Sequence, residues 1–222
     1  MIADVDVSPV AALLGDPARA RIAQALHDGR ALPASDLARR AGVAASTASE
    51  HLAKLVEGGL LAVERSGRHR YFRLASGEVA HAIEALAAVA PPARPRSLRQ
   101  ASVGEALAAA RTCYDHLAGA LGVALADGLL ARGAIEERDG DFALGPAAAE
   151  TLAVLGIPSL PARRPAVRRC LDWSERRPHV AGAFGAALCT RALEACWVER
   201  LPGSRAVRLT EAGRKAFASL GA

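Results

Sequence analysis

Ala44-Ala45-Ser46-Thr47-Ala48-Ser49-Glu50-His51-Leu52-Ala53-Lys54-Leu55-Val56-Glu57-Gly58-Gly59-Leu60-Leu61 is the stretch that decides the fold. It reads as a helix from about Ala45 to Glu57, closed by Gly58-Gly59 because glycine takes the left-handed cap conformation without a steric penalty. Just upstream, Ser35 to Arg40 reads as a short helix with Leu37 and Ala38 inward, followed by a turn at Gly42. Helix, tight turn and second helix together form the helix-turn-helix pattern. Further upstream, Val10 to Leu26 reads as a helical pair broken at Gly15-Asp16-Pro17, with Asp16 as N-cap, Pro17 at the first helical position, and Ile22, Ala25 and Leu26 as the apolar face. Downstream, Leu60 to Glu64 and Arg70 to Leu74 are β-like runs separated by Arg65-Ser66-Gly67-Arg68-His69, a hairpin where a wing would stand. Gly77 to Val89 is a further amphipathic helix, with Val79, Ile83, Leu86 and Val89 at helical spacing. That stripe suits either the closing of a core or the pairing of two subunits.

Small hydroxyl residues at a helix N-terminus approach base edges and phosphates closely, while the backbone N–H groups face the anion. Ser46, Thr47, Ser49 and Glu50 lie on the leading turns, with Lys54 one turn later. The expectation is that Ser46, Thr47 and Ser49 enter a DNA groove and Lys54 meets a phosphate or base. His51 is either a DNA contact or a partly buried histidine. The hairpin adds Arg65, Arg68, Arg70 and Arg73 against the single acid Glu64, a density suited to backbone or minor-groove contacts. The plainer reading is a solvated hairpin and an N-cap serine at Ser46.

The serine-threonine start, the His51-Leu52 pair and the Leu55-to-Leu60 ending resemble the recognition helix of the ArsR/SmtB repressors, and the resemblance covers about residues 8 to 90. It implies a winged helix-turn-helix repressor acting as a homodimer on an operator, released by an effector that is often a metal. The two familiar metal sites of that family do not carry over. Its cysteine pair would fall near Ala34 to Ala38, where Ser35 and Asp36 stand instead, and the helix Gly77 to Val89 offers only Glu78, His81 and Glu84.

Composition agrees with a polyanionic partner. The 222 residues carry a formal net charge of +5, with 51% apolar but only 4% aromatic residues, an alanine-rich balance expected of a soluble chain. Lysine occurs only at Lys54 and Lys215, so the arginine bias follows a GC-rich genome and is discounted as a functional signal. The start, MIADVDVSPVAALLGDPAR, has acids where a secretory signal needs cations, and no apolar run reaches the roughly twenty residues that span a bilayer. A cytoplasmic protein without membrane attachment is expected. Cys113, Cys170, Cys189 and Cys196 are then reduced thiols or ligands.

Pro91-Pro92-Ala93-Arg94-Pro95-Arg96 opposes helix and sheet alike and reads as a linker. It divides a DNA-binding domain over residues 1–92 from a sensor or structural domain over 98–222. The second part repeats itself. His116 to Leu125 matches His179 to Leu188 at seven of ten positions with an offset of 63, and the His and two Gly are in register. Each copy runs through a helix to a turn, at Asp139-Gly140 or Pro202-Gly203, and into another helix near Pro146 or Thr210. The fold class expected is therefore mainly α with small β-wings, a winged helix-turn-helix followed by two degenerate winged-helix-like repeats.

Cys113 and His116 are three apart, spacing that would share a helix face, and Cys170 and His179 stand near equivalent points of the second copy. If the repeats pack with pseudo-twofold symmetry, His116 and His179 converge and the four form a Cys2His2 site for a zinc-like or soft metal ion, or a thiol sensor, with Asp115 and Asp172 as outer partners. The alternative is that the histidines bond backbone groups at helix starts while the cysteines fill the core, and an organic ligand also stays open. Cys189 and Cys196, seven apart, are expected in the core. A cysteine-dependent enzyme is disfavoured, since no Gly-rich nucleotide loop or Gly-x-Ser-x-Gly elbow occurs. An architectural DNA binder with a purely structural second half is the remaining rival.

Overall fold

Gly15-Asp16-Pro17 separates α1 (Ser8–Leu14) from α2 (Pro17–Ala25), and the Asp16 carboxylate accepts the N–H groups of Ala18 and Arg19 as the N-cap. The computed structural model describes residues 5–91, 95, 97–162 and 164–221. Of the expected linker, Pro92, Ala93, Arg94 and Arg96 lie outside the described residues. The chain divides into two units, Met1–Ile83 and Glu84–Ala222.

In the first unit, β1 (Leu32–Pro33) leads into α3 (Ala34–Ala41), and α4 (Ala45–Glu57) follows after a turn in which Gly42 takes φ 71°. The left-handed cap lets the chain reverse between α3 and α4 with no Cβ to clash. Strands β2 (Leu61–Ser66) and β3 (His69–Leu74) pair antiparallel, and β1 adds to the far edge of β3 in the order β1-β3-β2. The strands run closer to the tip than the alternation suggests, since Ser66 still pairs with His69 and only Gly67-Arg68 remain for the turn. Gly67, at φ 57°, supplies the positive φ at the first turn position. Ile22, Leu26, Leu37, Leu52, Leu55 and Leu74 are fully buried at the centre. Each such side chain contributes about 1.5–3 kcal/mol by leaving water. The result is a winged helix-turn-helix. α5 (Gly77–Val89) follows, and the unit division falls within it. Ile83 is buried, whereas Leu86 and Val89 are exposed.

The second unit begins with the end of α5 and with α6 (Leu98–Ala109), a helix capped by Ser97 through the Gln100 N–H. A hairpin, a helix, a second hairpin and a second helix then occur twice. First come β4 (Arg111–Cys113), β5 (His116–Ala118), α7 (Ala120–Ala131), β6 (Ile135–Arg138), β7 (Asp141–Leu144) and α8 (Ala148–Val154). Then come β8 (Arg168–Leu171), β9 (Pro178–Ala181), α9 (Gly182–Glu194), β10 (Val198–Arg200), β11 (Val207–Leu209) and α10 (Glu211–Ala218). The matched element order is what two winged-helix-like repeats would give. The two copies interlock, with α7 against β9, α9 against β5, and β5 beside β9.

A Cβ on Gly122 of α7 would stand 2.6 Å from the Leu117 oxygen of its own copy, and one on Gly185 of α9 would stand 2.3 Å from the Val180 oxygen of its own copy, closer than a real Cβ comes, so each helix packs tightly on its own hairpin. Those same two positions face the Cβ atoms of His179 and His116 respectively. Phe184, Phe217, Leu125, Leu129 and Ile135 fill the shared core. Cys189 is buried in it, but Cys196 is not the core residue expected. It follows the end of α9, exposed at φ 53°, because the helix stops at Glu194 and Ala195 is its C-cap.

Candidate functional site

Most of the residues predicted to contact DNA lie where a macromolecule can reach them. Ser46, Ser49, Glu50 and Lys54 are exposed on one side of α4, Thr47 is half-buried, and Ala48, Leu52 and Leu55 hold the opposite side in the core. Ser46 caps nothing, since the N-cap is Ala44 without a side-chain bond. Ser49 donates its hydroxyl to the Ala45 carbonyl. His51 is half-buried, with Nε2 4.0 Å from the Asp16 carboxylate. On the hairpin Arg65, Arg68 and Arg70 are exposed, and Arg65 pairs directly opposite Arg70. Arg73 is different, as it forms an ion pair across the strands with Glu64.

The second unit gathers Cys113, His116, Cys170 and His179, all buried, with one ligand atom of each within 4.8 Å of the others. Cys113 and His116 do not share a helix face as their spacing suggests. They oppose each other across the β4–β5 hairpin, whose two-residue turn holds Tyr114 at φ 57°. Cys170 and His179 oppose each other in the same way across β8–β9, where the turn is longer and runs from Asp172 to Arg177. Each hairpin thus presents one sulfur and one imidazole side by side, and the interlocked repeats bring the two pairs face to face.

His116 Nε2 and His179 Nε2 are 3.1 Å apart, and the other ring nitrogen of each histidine turns to a carboxylate. His116 Nδ1 lies 3.1 Å from Asp115 Oδ1, and His179 Nδ1 lies 3.3 Å from Asp172 Oδ2. If each Nδ1 carries its proton toward its carboxylate, two Nε2 lone pairs confront each other. A shared proton or a cation resolves that repulsion. The titration of the buried groups follows the same logic. Burial opposes a charge on His116, but Cys113 and Asp115 outweigh it and push the imidazole up to about 9. A hydrogen bond with Cys170, reinforced by burial, pushes the Cys113 thiol up to about 12, so at neutral pH Asp115 is the group that favours the imidazolium.

Sequence reasoning missed what lies behind Asp172. Burial alone would raise this carboxyl, but His179, Arg111, Ser174 and the Gly119 N–H hold it well below the usual carboxylate range. Arg111 Nη2 is 2.9 Å from Asp172 Oδ2 and 3.4 Å from Glu84 Oε1, and its guanidinium stacks on Trp173 at 4.5 Å. None of Arg111, Asp172 and Glu84 is more than 2% exposed. Arg111 stands two residues before Cys113, but nothing in its surroundings in the sequence marks it off from the other arginines.

A helix-turn-helix domain family matches residues 14–64, the span from the end of α1 to the middle of β2. Solved structures resemble part of the chain. They include reduced HlyU from Vibrio cholerae (28% identity, 36% of this chain, 83% of that one, TM-score 0.34) and the cadmium sensor CMTR from Mycobacterium tuberculosis (32%, 40%, 93%, 0.34). Among the described residues no helix is long and apolar enough to cross a membrane. YdfF of Bacillus subtilis (strain 168), an uncharacterized HTH-type transcriptional regulator, is 44% identical over 215 residues, spanning 96% of this chain and 95% of its own. With that identity along nearly the whole length, and with α3 and α4 forming the DNA-reading motif, the chain belongs to the helix-turn-helix transcriptional regulators.

Proposed function

We propose that this regulator is a homodimeric repressor of the ArsR/SmtB kind, which reads its operator with α4 and the wing, and whose second unit binds a zinc-class divalent ion through Cys113, His116, Cys170 and His179. The observation that carries the metal reading is the pair of Nε2 atoms 3.1 Å apart, each imidazole backed at Nδ1 by a carboxylate. An ion about 2.0–2.1 Å from nitrogen and 2.3 Å from sulfur, at tetrahedral angles, sets neighbouring ligand atoms about 3.3 to 3.8 Å apart. The two Nε2 atoms are near that spacing, and all four ligand atoms lie within 4.8 Å of one another. A carboxylate behind each ligating histidine is the usual outer partner, fixing the tautomer that leaves Nε2 free to ligate. Two thiolates and two neutral imidazoles also cancel the charge of a divalent ion, which favours it over a monovalent one in a site removed from water.

Thiol sensing is the weaker reading. A thiol-sensing cysteine must be accessible to its oxidant, and Cys113 and Cys170 are both buried. For DNA, support comes from the hairpin. Arg65 directly opposite Arg70 is a repulsive cross-strand pair, tolerable where a phosphate passes between. The exposed Leu86 and Val89 on α5 suit a subunit contact. The test is metal analysis of the full chain purified anaerobically without chelators, followed by a cobalt(II) titration. One equivalent of bound metal, with thiolate-to-cobalt absorption that Cys113→Ser removes, is the expected result. A metal-free protein that gives no cobalt spectrum overturns the metal reading.

A further inference from the structure

We infer that Arg111 relays occupancy of the cysteine and histidine cluster to helix α5, through the chain His179–Asp172–Arg111–Glu84; the inference rests on the metal reading above. His179 Nδ1 is buried and, among the described residues, makes no hydrogen bond of proper geometry, although Asp172 Oδ2 is only 3.3 Å away. That contact has room to tighten. Ligation at Nε2 withdraws electron density from the ring and makes Nδ1–H a stronger donor, so an occupied His179 pulls harder on Asp172 Oδ2. The same oxygen is held by Arg111 Nη2 at 2.9 Å and by the Gly119 N–H at 2.7 Å. Its other partners cannot stay as they are when the balance of that oxygen changes.

Gly119 is backbone at the start of α7, whereas Arg111 has a second carboxylate to turn to. Glu84 Oε1 lies 3.4 Å from the same Nη2, a loose contact in a site where neither side chain reaches water. Arg205 also approaches Glu84, at 3.7 Å from Oε2, so the carboxylate already answers to two guanidinium groups. As Asp172 gives more of itself to His179, Arg111 shifts toward Glu84 and grips α5 more firmly. A buried pair is the right instrument for this, because salt does not screen it and no water replaces a partner that leaves. α5 runs on in sequence from β3 of the wing, so tension on Glu84 acts on the segment that follows the DNA-reading elements. Arg111 also donates to Leu107 and Ser174 and stacks on Trp173, which confine it to sliding between the two carboxylates.

Hydrogen–deuterium exchange of the α5 amides in the full chain, with and without one equivalent of zinc chloride, tests the relay. Zinc should slow exchange over residues 84–89 about tenfold, within the range typical of coupled sites. Glu84→Gln removes the charge but keeps the shape. It should bind cobalt with the wild-type spectrum and an affinity within about threefold, and yet show less than about twofold slowing on zinc addition. Equal slowing in the variant, or unchanged α5 exchange in a wild-type chain that binds zinc, overturns the relay. A wild-type chain that binds neither cobalt nor zinc overturns the metal reading itself. If Glu84→Gln does not fold, Glu84→Asp carries the same test, since it keeps the charge and withdraws the carboxylate from Arg111.

Discussion

Both units bury some charge, His27 and Asp28 in the first, but they place their candidate functional groups differently. The first keeps Ser46, Ser49, Glu50, Lys54, Arg65, Arg68 and Arg70 in solvent around an apolar centre. The second buries Arg111, Asp172, Glu84, His116 and His179, each no more than 6% exposed. Exposed charges on a helix and a hairpin can meet a polymer as large as duplex DNA. Buried ones are closed off from such a polymer. The contrast sets groups open to a macromolecule in one unit against a buried polar cluster in the other. It also sets what substitution should do, since exposed groups lose little when cut and buried ones lose much.

The largest effect should come from the four residues of the proposed metal site. Cys170→Ala or His179→Ala should weaken zinc binding by more than about a hundredfold, beyond what outer-shell partners usually cost. A competition titration with a chromophoric chelator measures it, and an unchanged affinity would dissolve the contrast between the units.

Next come the two carboxylates, which sharpen the contrast inside the second unit. Asp172 is fully buried, whereas Asp115 is 28% exposed and shares its other oxygen with the exposed Arg164 at 2.5 Å. Asp172→Asn should cost about 10–100-fold in zinc affinity and about 3 kcal/mol or more of stability, because the buried Arg111 loses the nearer of its two carboxylates. Asp115→Asn should cost less than about 1 kcal/mol of stability, since its partners are partly solvated. Denaturant unfolding of the two variants side by side compares them, and equal losses would show that burial is not the deciding variable.

Much of this was legible beforehand, for identifiable reasons. Gly42, Gly58-Gly59 and the Asp16-Pro17 start are backbone signals that act locally, so the helices of the first unit lie close to where the pattern puts them. The meeting of His116 and His179 was legible because a register of one histidine and two glycines records a repeated packing constraint, now seen as the approach of Gly122 and Gly185 to the opposite hairpins. What misled was local geometry. Cys113 and His116 fit helical spacing as well as a tight hairpin, and only the positive φ of Tyr114, which its residue type does not advertise, separates the two. The Asp172–Arg111–Glu84 chain joins residues far apart in sequence, and arginine abundance hid the buried Arg111 at its centre. α6 was also missed, although Ser97 before Leu98 is a capping signal.

In the first unit the expected effects are smaller and fall on binding. Ser46→Ala with Thr47→Ala should weaken specific DNA binding by about 1–3 kcal/mol for each base edge no longer read and leave non-specific binding nearly intact. Arg68→Ala and Arg70→Ala should weaken all sequences alike and reduce the salt slope by about one for each phosphate no longer neutralised. Binding isotherms over a range of salt separate the two patterns. Identical behaviour of the two pairs would remove the division between groove-reading helix and phosphate-holding wing.

The smallest effect belongs to Asp16, a partly exposed carboxylate that makes the useful opposite of Asp172. Its backbone bonds at the start of α2 lower its pKa from the usual 3.8, led by the Arg19 N–H and opposed by a modest burial. A carboxyl whose pKa is depressed by folding adds stability that is fully present above the unfolded value, and this is lost as pH falls through the folded one. Asp16→Ala should therefore lower the melting temperature at neutral pH, and the gap to the parent should close as the pH is taken below 3.8. Asp16→Asn divides the effect in two. Asparagine is an equally good N-cap, so it should keep most of the stability at neutral pH while removing the part that varies with acid. A pH-dependent gap that persists between the alanine and asparagine variants would mean that the carboxylate charge is not what acid removes. In that case the cap at α2 would owe its strength to hydrogen-bond geometry alone, and electrostatics in the first unit would be reserved for DNA.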